Sequence, residues 1–353
     1  MELTPEYAAK EMLRRQRARS SLVAYATAVE IPGVANADFD VDEEDPETGK
    51  LVNRYEDPEN PVTFQPIDLG EAIHHVLMLE AIQRCIEKPR GRTIIMAPPG
   101  SAKSTKALTG ASWAMGRRRN TQVIIGSYGT GIAAKQSRKV RSICRSSFYS
   151  SLWPRRPVLM DDQRAIDDWS LSNGSGLMAA GLLAGITGNR CDLFILDDVV
   201  QNREQADSAT IREKTWNEYT DTVMTRAKPW MSVLAIGTRW HEEDLIGMIL
   251  PEHYEGESGL IKCRDGQTWE VLCIQAEAER ADDPLGRSIG EFLWPEYWPR
   301  EHWSTWRDDP RAARTWAALY QQRPAPFAGI HFTREHLLWY DPWLPRTDEE
   351  FLT

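Results

Sequence analysis

The sequence predicts an α/β protein with a mostly parallel sheet flanked by helices, on three observations. Four runs of strand length, TIIMA (93–97), TQVIIGS (121–127), DLFIL (192–196) and MSVLAIGT (231–238), are continuously apolar, as strands covered on both faces are. Helical patterns lie between them, the alternation that builds parallel sheets. The first of these strands runs directly into A-P-P-G-S-A-K-S-T (97–105) and then into a helical pattern, the order strand, phosphate loop, helix.

Taken in order, residues 1–30 read as a basic amphipathic helix, with Lys10, Arg14, Arg15, Arg17 and Arg19 among alanines and leucines. The acidic stretch DFDVDEEDPETGKLVNRYEDPENP follows and shows little periodicity, so it reads as a loop or connector. These two make an N-terminal unit over 1–60. A helical pattern returns from 67 to 87 and opens the core, expected over 61–250, with a further strand or hairpin around 176–183. Beyond about 247 the chain becomes dense in Trp, Pro and acidic residues, as in LWPEYWPREHWSTWRDDPRAARTW. A small appended lid or linker subdomain is expected over 251–330, with 331–353 as a lead-in to whatever would follow.

Hydrophobic residues make up 41% and charged residues 27% of the 353, ordinary for a globular chain. No run approaches the ~18 apolar residues of a membrane span. The charged start lacks an apolar stretch before a cleavage site, so it is no secretory signal. The five cysteines are scattered and none has a C-x2-C partner, which predicts reduced core thiols and a cytoplasmic setting. A formal charge of −10 excludes a passive DNA-coating protein but not a local basic grip.

A phosphate loop needs a turn of exposed backbone N–H groups, a lysine for the β- and γ-phosphates, a hydroxyl for magnesium, and a helix N-terminus behind them. Pro99, Gly100, Ser101, Ala102, Lys103, Ser104 and Thr105 are the expected ATP-binding residues, with Lys103 the lysine and Ser104 the hydroxyl. Ala97 and Ala102 stand where glycines belong. Ala102 must therefore take a dihedral that glycine would reach more easily.

The third strand ends L-F-I-L-D-D, and a carboxylate at the C-terminal end of a parallel strand faces the ligand crevice. Asp197 is expected to hold Mg²⁺ together with Ser104, and Asp198 to orient or deprotonate the attacking water.

The fourth strand finishes A-I-G-T-R-W-H-E-E-D-L (235–245), the metal strand reads T-G-N-R-C-D-L-F-I-L-D-D-V-V (187–200), the phosphate loop carries Pro98–Pro99, and the tail reads A-L-Y-Q-Q-R-P-A-P (318–326). In this order the four motifs resemble those of the large terminase subunit of tailed bacteriophages. The resemblance implies a RecA-like ATPase core of the additional-strand type, with ATP and Mg²⁺. It also implies a ring at the procapsid portal in the host cytoplasm, and double-stranded DNA, portal protein and small terminase subunit as partners; a monomer is expected in dilute solution. On the same ground Thr238 senses the γ-phosphate, and Arg190 is the finger that reaches a neighbouring subunit, with Arg226 and Arg138 as fallbacks. Arg117, Arg118, Arg119, Lys135, Arg138, Lys139, Arg141 and Arg145 are candidates for gripping DNA. His74 and His75 are expected on a helix surface near the adenine pocket. A full terminase continues into a nuclease; here Asp341 and Asp348 fall in the lead-in, and no cutting activity is expected. Two other classes fit the phosphate loop alone: a different P-loop enzyme, helicase-like or a kinase, and a nucleotide-binding assembly module with little turnover.

Overall fold

The computed structural model describes residues 5–29, 71–160, 165–184 and 190–324, with the backbone of 42–44 and 51–53. Asp341, Asp348 and the lead-in lie outside the described residues, as does most of the acidic connector. Within that connector β1 (Asp42–Glu44) and β2 (Leu51–Asn53) pair antiparallel, so this part is a hairpin, not a loop.

The remaining strands are β3 (Arg92–Met96), β4 (Gln122–Ser127), β5 (Asp168–Ser170), β6 (Gly176–Gly181), β7 (Cys191–Asp197), β8 (Ala227–Gly237), β9 (Gly259–Lys262) and β10 (Thr268–Cys273). They form one sheet in the order β5-β6-β4-β7-β8-β3-β10-β9, parallel except for the antiparallel edges β5 and β9. β8 lies between β3, which carries the phosphate loop, and β7, which ends in the acidic pair. A strand inserted between these two is the additional-strand arrangement expected from the sequence.

The sheet extends past the boundary expected near 250, because β10 adds parallel to β3 through Thr93↔Glu270 and Met96↔Cys273. TWEVLC alternates rather than running continuously apolar, and its Glu270 is answered by Arg84 at 2.7 and 2.9 Å. The strand therefore lacks the pattern of the four central runs.

Consecutive side chains of a strand point to opposite faces, and the sheet divides two cores accordingly. Ile95, Ile125, Ile195 and Leu234 enter one; Ile94, Ile124, Phe194 and Val233 enter the other. The N-terminal helices α1 (Pro5–Ser20) and α2 (Leu22–Ala26), then α3 (Ile73–Glu87), α4 (Lys103–Arg117), α5 (Thr130–Arg145) and α6 (Ser147–Leu152), belong to the first. The chain between β7 and β8 carries α7 (Arg203–Asp207) and α8 (Ala209–Glu218); Trp216 of α8 with Tyr219 and Val223, and then α9 (Leu245–Ile249), cover the second. In the appended region α10 (Arg300–Arg307) buries Trp303 in the first core.

The expected single helix over 1–30 is broken at Ser21, whose hydroxyl caps α2 by accepting the Ala24 N–H at 3.3 Å. The break lets both pieces dock on α4: Trp113 Nε1 donates to the Ala18 carbonyl at 3.1 Å, and the Tyr25 and Ser112 hydroxyls meet at 2.8 Å. The basic face is partly structural, since Arg15 and Arg19 bond Ser151 and Leu152 at the end of α6. All five cysteines are buried and free. No helix among the described residues is long and apolar enough to cross a membrane.

α4 is held closely because its glycines admit neighbours. A Cβ on Gly116 would fall 2.1 Å from the Trp153 indole nitrogen. Gly116→Ala is therefore expected to lower stability by about 1–2 kcal/mol despite alanine's better helix propensity, read as an earlier urea midpoint at unchanged slope.

Candidate nucleotide site

The loop between β3 and α4 curls around one carbonyl. Pro98 O accepts the Ser101 N–H at 3.3 Å, the Ser101 hydroxyl at 2.7 Å and Lys103 Nζ at 3.3 Å. Gly100 and Ala102 both adopt positive φ, +82° and +59°. Ala102 thus takes the left-handed conformation that glycine usually supplies, and α4 begins at the next residue. Pro99 and Gly100 are exposed, while Lys103 is buried. Burial pulls the Lys103 ammonium below its ordinary pKa, and the charges of Asp198 and Asp197 oppose that pull.

The two residues expected to share a metal are in contact. Ser104 Oγ donates to Asp197 Oδ1 at 2.8 Å. Asp197 is fully buried, and burial together with the Asp198 charge pushes its carboxyl up to about 7, against the Ser104 hydrogen bond and the charges of Lys103 and Lys139. A hydroxyl and a carboxylate are the hard oxygens magnesium takes, and their spacing is close to the ~3 Å edge of an octahedron with ~2.1 Å bonds. No cluster of three His, Cys, Asp or Glu suited to a metal occurs among the described residues. Magnesium that shares its ligands with phosphate and water does not need one.

Two further residues, not singled out from the sequence, complete this arrangement. Gln136 on α5 donates to Asp197 Oδ2, and its own oxygen accepts the Ser127 hydroxyl at 2.7 Å at the end of β4. Both are buried. Ser127 ends an apolar strand beside the crevice, which was a usable signal; nothing in the pattern of α5 marks Gln136.

Asp198 leaves β7 with φ +46°. Its N–H donates to Ile236 O at 3.2 Å and its carbonyl accepts the Tyr128 N–H at 3.1 Å, so a strained residue is pinned from both neighbouring strands. Its carboxylate lies beside Gly237, 3.6 Å from where a Cβ would stand. With Gly237, Thr238 and Trp240 it lines a small cleft, and Thr238 is half-buried there.

The R-W-H-E-E-D stretch after Thr238 closes on itself. Arg239 Nε lies 3.0 Å from both Asp244 oxygens, and both side chains are buried. The same carboxylate accepts the N–H groups of Trp240 (2.9 Å) and His241 (3.3 Å) and caps α9 through Gly247 (2.8 Å). With every lone pair used, this ion pair anchors the chain directly after Thr238.

Aromatic residues of the appended region reach the loop. Trp298, stacked on His302 at 4.0 Å, lies 3.2 Å from where Gly100 would carry a Cβ. His74 and His75 are not on a helix surface: both are buried, edge-on to Trp294 at 4.9 and 4.8 Å. His75 Nδ1 is 3.2 Å from Glu71, which also pairs with Lys106. Burial pushes the His74 pKa down to about 3, with the charges of His75 and Lys106 acting the same way. Burial also lowers that of His75 against the Glu71 hydrogen bond.

Comparison with known proteins bears on this geometry. The family model described as "Terminase large subunit, T4likevirus-type, N-terminal" matches residues 94–339. The chain belongs to the terminase large subunit family. Among solved structures it is similar to the crystal structure of the HK97 bacteriophage large terminase, at 13% identity and a TM-score of 0.43, over 74% of this chain and 52% of that one. The terminase chain thus spans about half the length of that protein. No curated protein matches it.

The arginines of this terminase chain fall into separate groups. Arg190 is exposed and immediately precedes β7, which puts it about 20 Å from Asp197 along the strand. Arg226 immediately precedes β8, and Cys191 pairs with Ala227, so the first choice and one fallback sit side by side at the N-terminal edge of the sheet. Both lie at the opposite end of their strands from Asp197. Arg117 is engaged, paired with Glu87 and over the Trp113 ring at 4.4 Å. Arg141 Nη1 bonds Ala165 O at 3.4 Å. Lys135, Arg138, Lys139 and Arg145 are exposed along α5, and Arg118 and Arg119 beyond the end of α4.

Two expected outcomes concern the loop and the histidines. Ala102→Gly relieves a left-handed alanine and should raise stability by about 0.5–1 kcal/mol, whereas Gly100→Ala should lower it by about 1–2 kcal/mol, both read by urea denaturation. For His74, the folded value near 3 lies below the ordinary 6.5. Its contribution is therefore complete above 6.5 and is lost as pH falls from 6.5 toward 3. His74→Leu should flatten the fall in stability below pH 6.5 by up to about 1.4 kcal/mol per pH unit, and unchanged slopes would refute the assignment.

Proposed function

We propose that this chain is the ATP-hydrolysing motor portion of a terminase large subunit and drives double-stranded DNA into a procapsid. The observation that carries the reading is the 2.8 Å contact between Ser104 and the buried Asp197, at the meeting of a strand–loop–helix phosphate site and an acidic strand end two positions away in the sheet. Family membership supports the packaging role.

In this reading the backbone N–H groups of 99–105 and the start of α4 hold the phosphates of ATP, and Lys103 neutralises the β- and γ-phosphates. Ser104 and Asp197 hold Mg²⁺, which when bound supplies charge neutralisation for the leaving phosphate. Asp198, strained and beside Gly237, orients water for in-line attack on the γ-phosphorus and takes its proton, while the bond to the bridging β–γ oxygen breaks toward ADP. Thr238 senses the γ-phosphate, fixed in place by the Arg239–Asp244 pair behind it. Arg190 serves a neighbouring subunit in a ring, which fits its distance from its own Asp197. Lys135, Arg138, Lys139 and Arg145 offer sequence-independent, salt-sensitive contacts to DNA phosphates. The portal protein and small terminase subunit are the protein partners, at the portal vertex in the host cytoplasm.

The test is steady-state ATP hydrolysis with Mg²⁺ over a wide range of protein concentration. Specific activity should rise with concentration. Lys103→Ala and Asp198→Asn should each lower turnover by about 100-fold or more, with Asp198→Asn still binding nucleotide, and Arg190→Ala should lower it by about 10³-fold. Turnover unaffected by Lys103→Ala would overturn the nucleotide-site reading. A rate independent of concentration and indifferent to Arg190→Ala would remove the trans finger from Arg190.

A further inference from the structure

β3 delivers the phosphate loop, and its two neighbours in the sheet are β8 and β10. Where β3 ends, it is bonded to both: Ala97 N–H donates to Gly237 O at 3.4 Å, and Ile274 N–H donates to Met96 O at 2.8 Å. Just beyond these bonds, two consecutive glutamines connect the same two flanks from above. Gln322 Oε1 accepts the Arg239 N–H at 3.2 Å, two residues past Gly237. Gln321 exchanges both side-chain bonds with the Glu277 backbone at 3.0 Å, and its carbonyl accepts Gln275 Nε2 at 3.1 Å, just past Ile274.

We propose that Gln321 and Gln322 form a bridge that passes nucleotide-dependent movement at the end of β8 to the appended region. The inference rests on the nucleotide-site reading above and names the two glutamines as positioning residues that act through Arg239. Both side chains are 1% exposed, so neither has water to substitute for a lost partner, and breaking either bond leaves a buried polar group unpaired. The Arg239 side chain is locked by Asp244. A displacement of the Thr238–Arg239 peptide therefore cannot be absorbed there and falls on the N–H that Gln322 holds.

The bridge is also held in costly backbone conformations. Gln322 has φ +58°, left-handed in a residue with a full side chain. The turn before it, Trp316–Tyr320, is widened to a π-helix, with Gln321 N–H donating to Trp316 O at 2.9 Å. A π-turn and a left-handed residue in succession persist only where the surroundings impose them. Here those surroundings are the extensions of the two strands that flank the phosphate loop.

The experiment is hydrogen–deuterium exchange of the full chain with and without a slowly hydrolysed ATP analogue and Mg²⁺, on wild type, Gln322→Met, Gln321→Met and Lys103→Ala. In wild type the analogue should slow exchange at the start of α4 and change it in 318–324 by about fivefold, the factor an ordinary hydrogen bond corresponds to. Gln322→Met should lose the change in 318–324 and keep the protection at α4. If α4 responds in wild type while 318–324 does not, or if Gln322→Met responds in 318–324 as wild type does, the bridge is refuted and the nucleotide site stands. If the analogue protects neither segment, or protects Lys103→Ala as it does wild type, the nucleotide-site reading fails and the bridge fails with it. Should Gln322→Met not fold, the wild-type comparison and Gln321→Met decide by the same criteria.

Discussion

The Asp197 carboxylate ends an apolar strand in full burial, a position that costs several kcal/mol unless other groups answer it. The answers come from the start of α4 and from α5 with β4 behind it. Ser104 brings in the start of α4, Gln136 the first turns of α5 with Ser127 of β4 behind it, and Lys103 a buried positive charge. The elements that touch this one carboxylate are the ones that line the candidate nucleotide site, so its compensation and the assembly of that site are a single requirement. The neighbouring Asp198 holds a strained conformation close to Gly237 and Thr238.

Much of this was legible in the sequence. Strands buried on both faces read as unbroken apolar runs, so β3, β4, β7 and β8 were visible, and the lysine–serine and aspartate pairs at their ends followed from where parallel strands point. The left-handed Ala102 was foreseeable, because an alanine stands where the loop turns. β9 and β10 were not visible, because an edge pair with one charged face carries only a short alternation, and β10 meets β3 across a gap of about 175 residues that no local pattern spans. Gln136 was invisible for a similar reason: a polar residue on a helix acquires meaning only when its partner arrives from another strand. His74 and His75 were misplaced because the aromatic cover that buries them, Trp294, lies some 220 residues further on.

The appended region does more than decorate the sheet. Its first strands extend the sheet, its aromatic residues reach over the phosphate loop at Gly100, and its last described residues return to the ends of β8 and β10. The R-W-H-E-E-D stretch gains a physical account in this setting. Arg239 and Asp244 fold it into a rigid corner, and rigidity is what a residue such as Thr238 needs if small movements at a phosphate are to be felt elsewhere.

The position of β3 has a consequence for how the chain comes into being. It lies near the centre of the sheet, yet both of its partners, β8 and β10, are made much later. At about 5–20 residues per second, a ribosome needs on the order of 10 seconds after finishing β3 to deliver β10. Until β8 is made RTIIM is an unpaired apolar strand, and until β10 is made one of its edges stays open. The candidate nucleotide site is thus flanked on both sides only after β10 has been made.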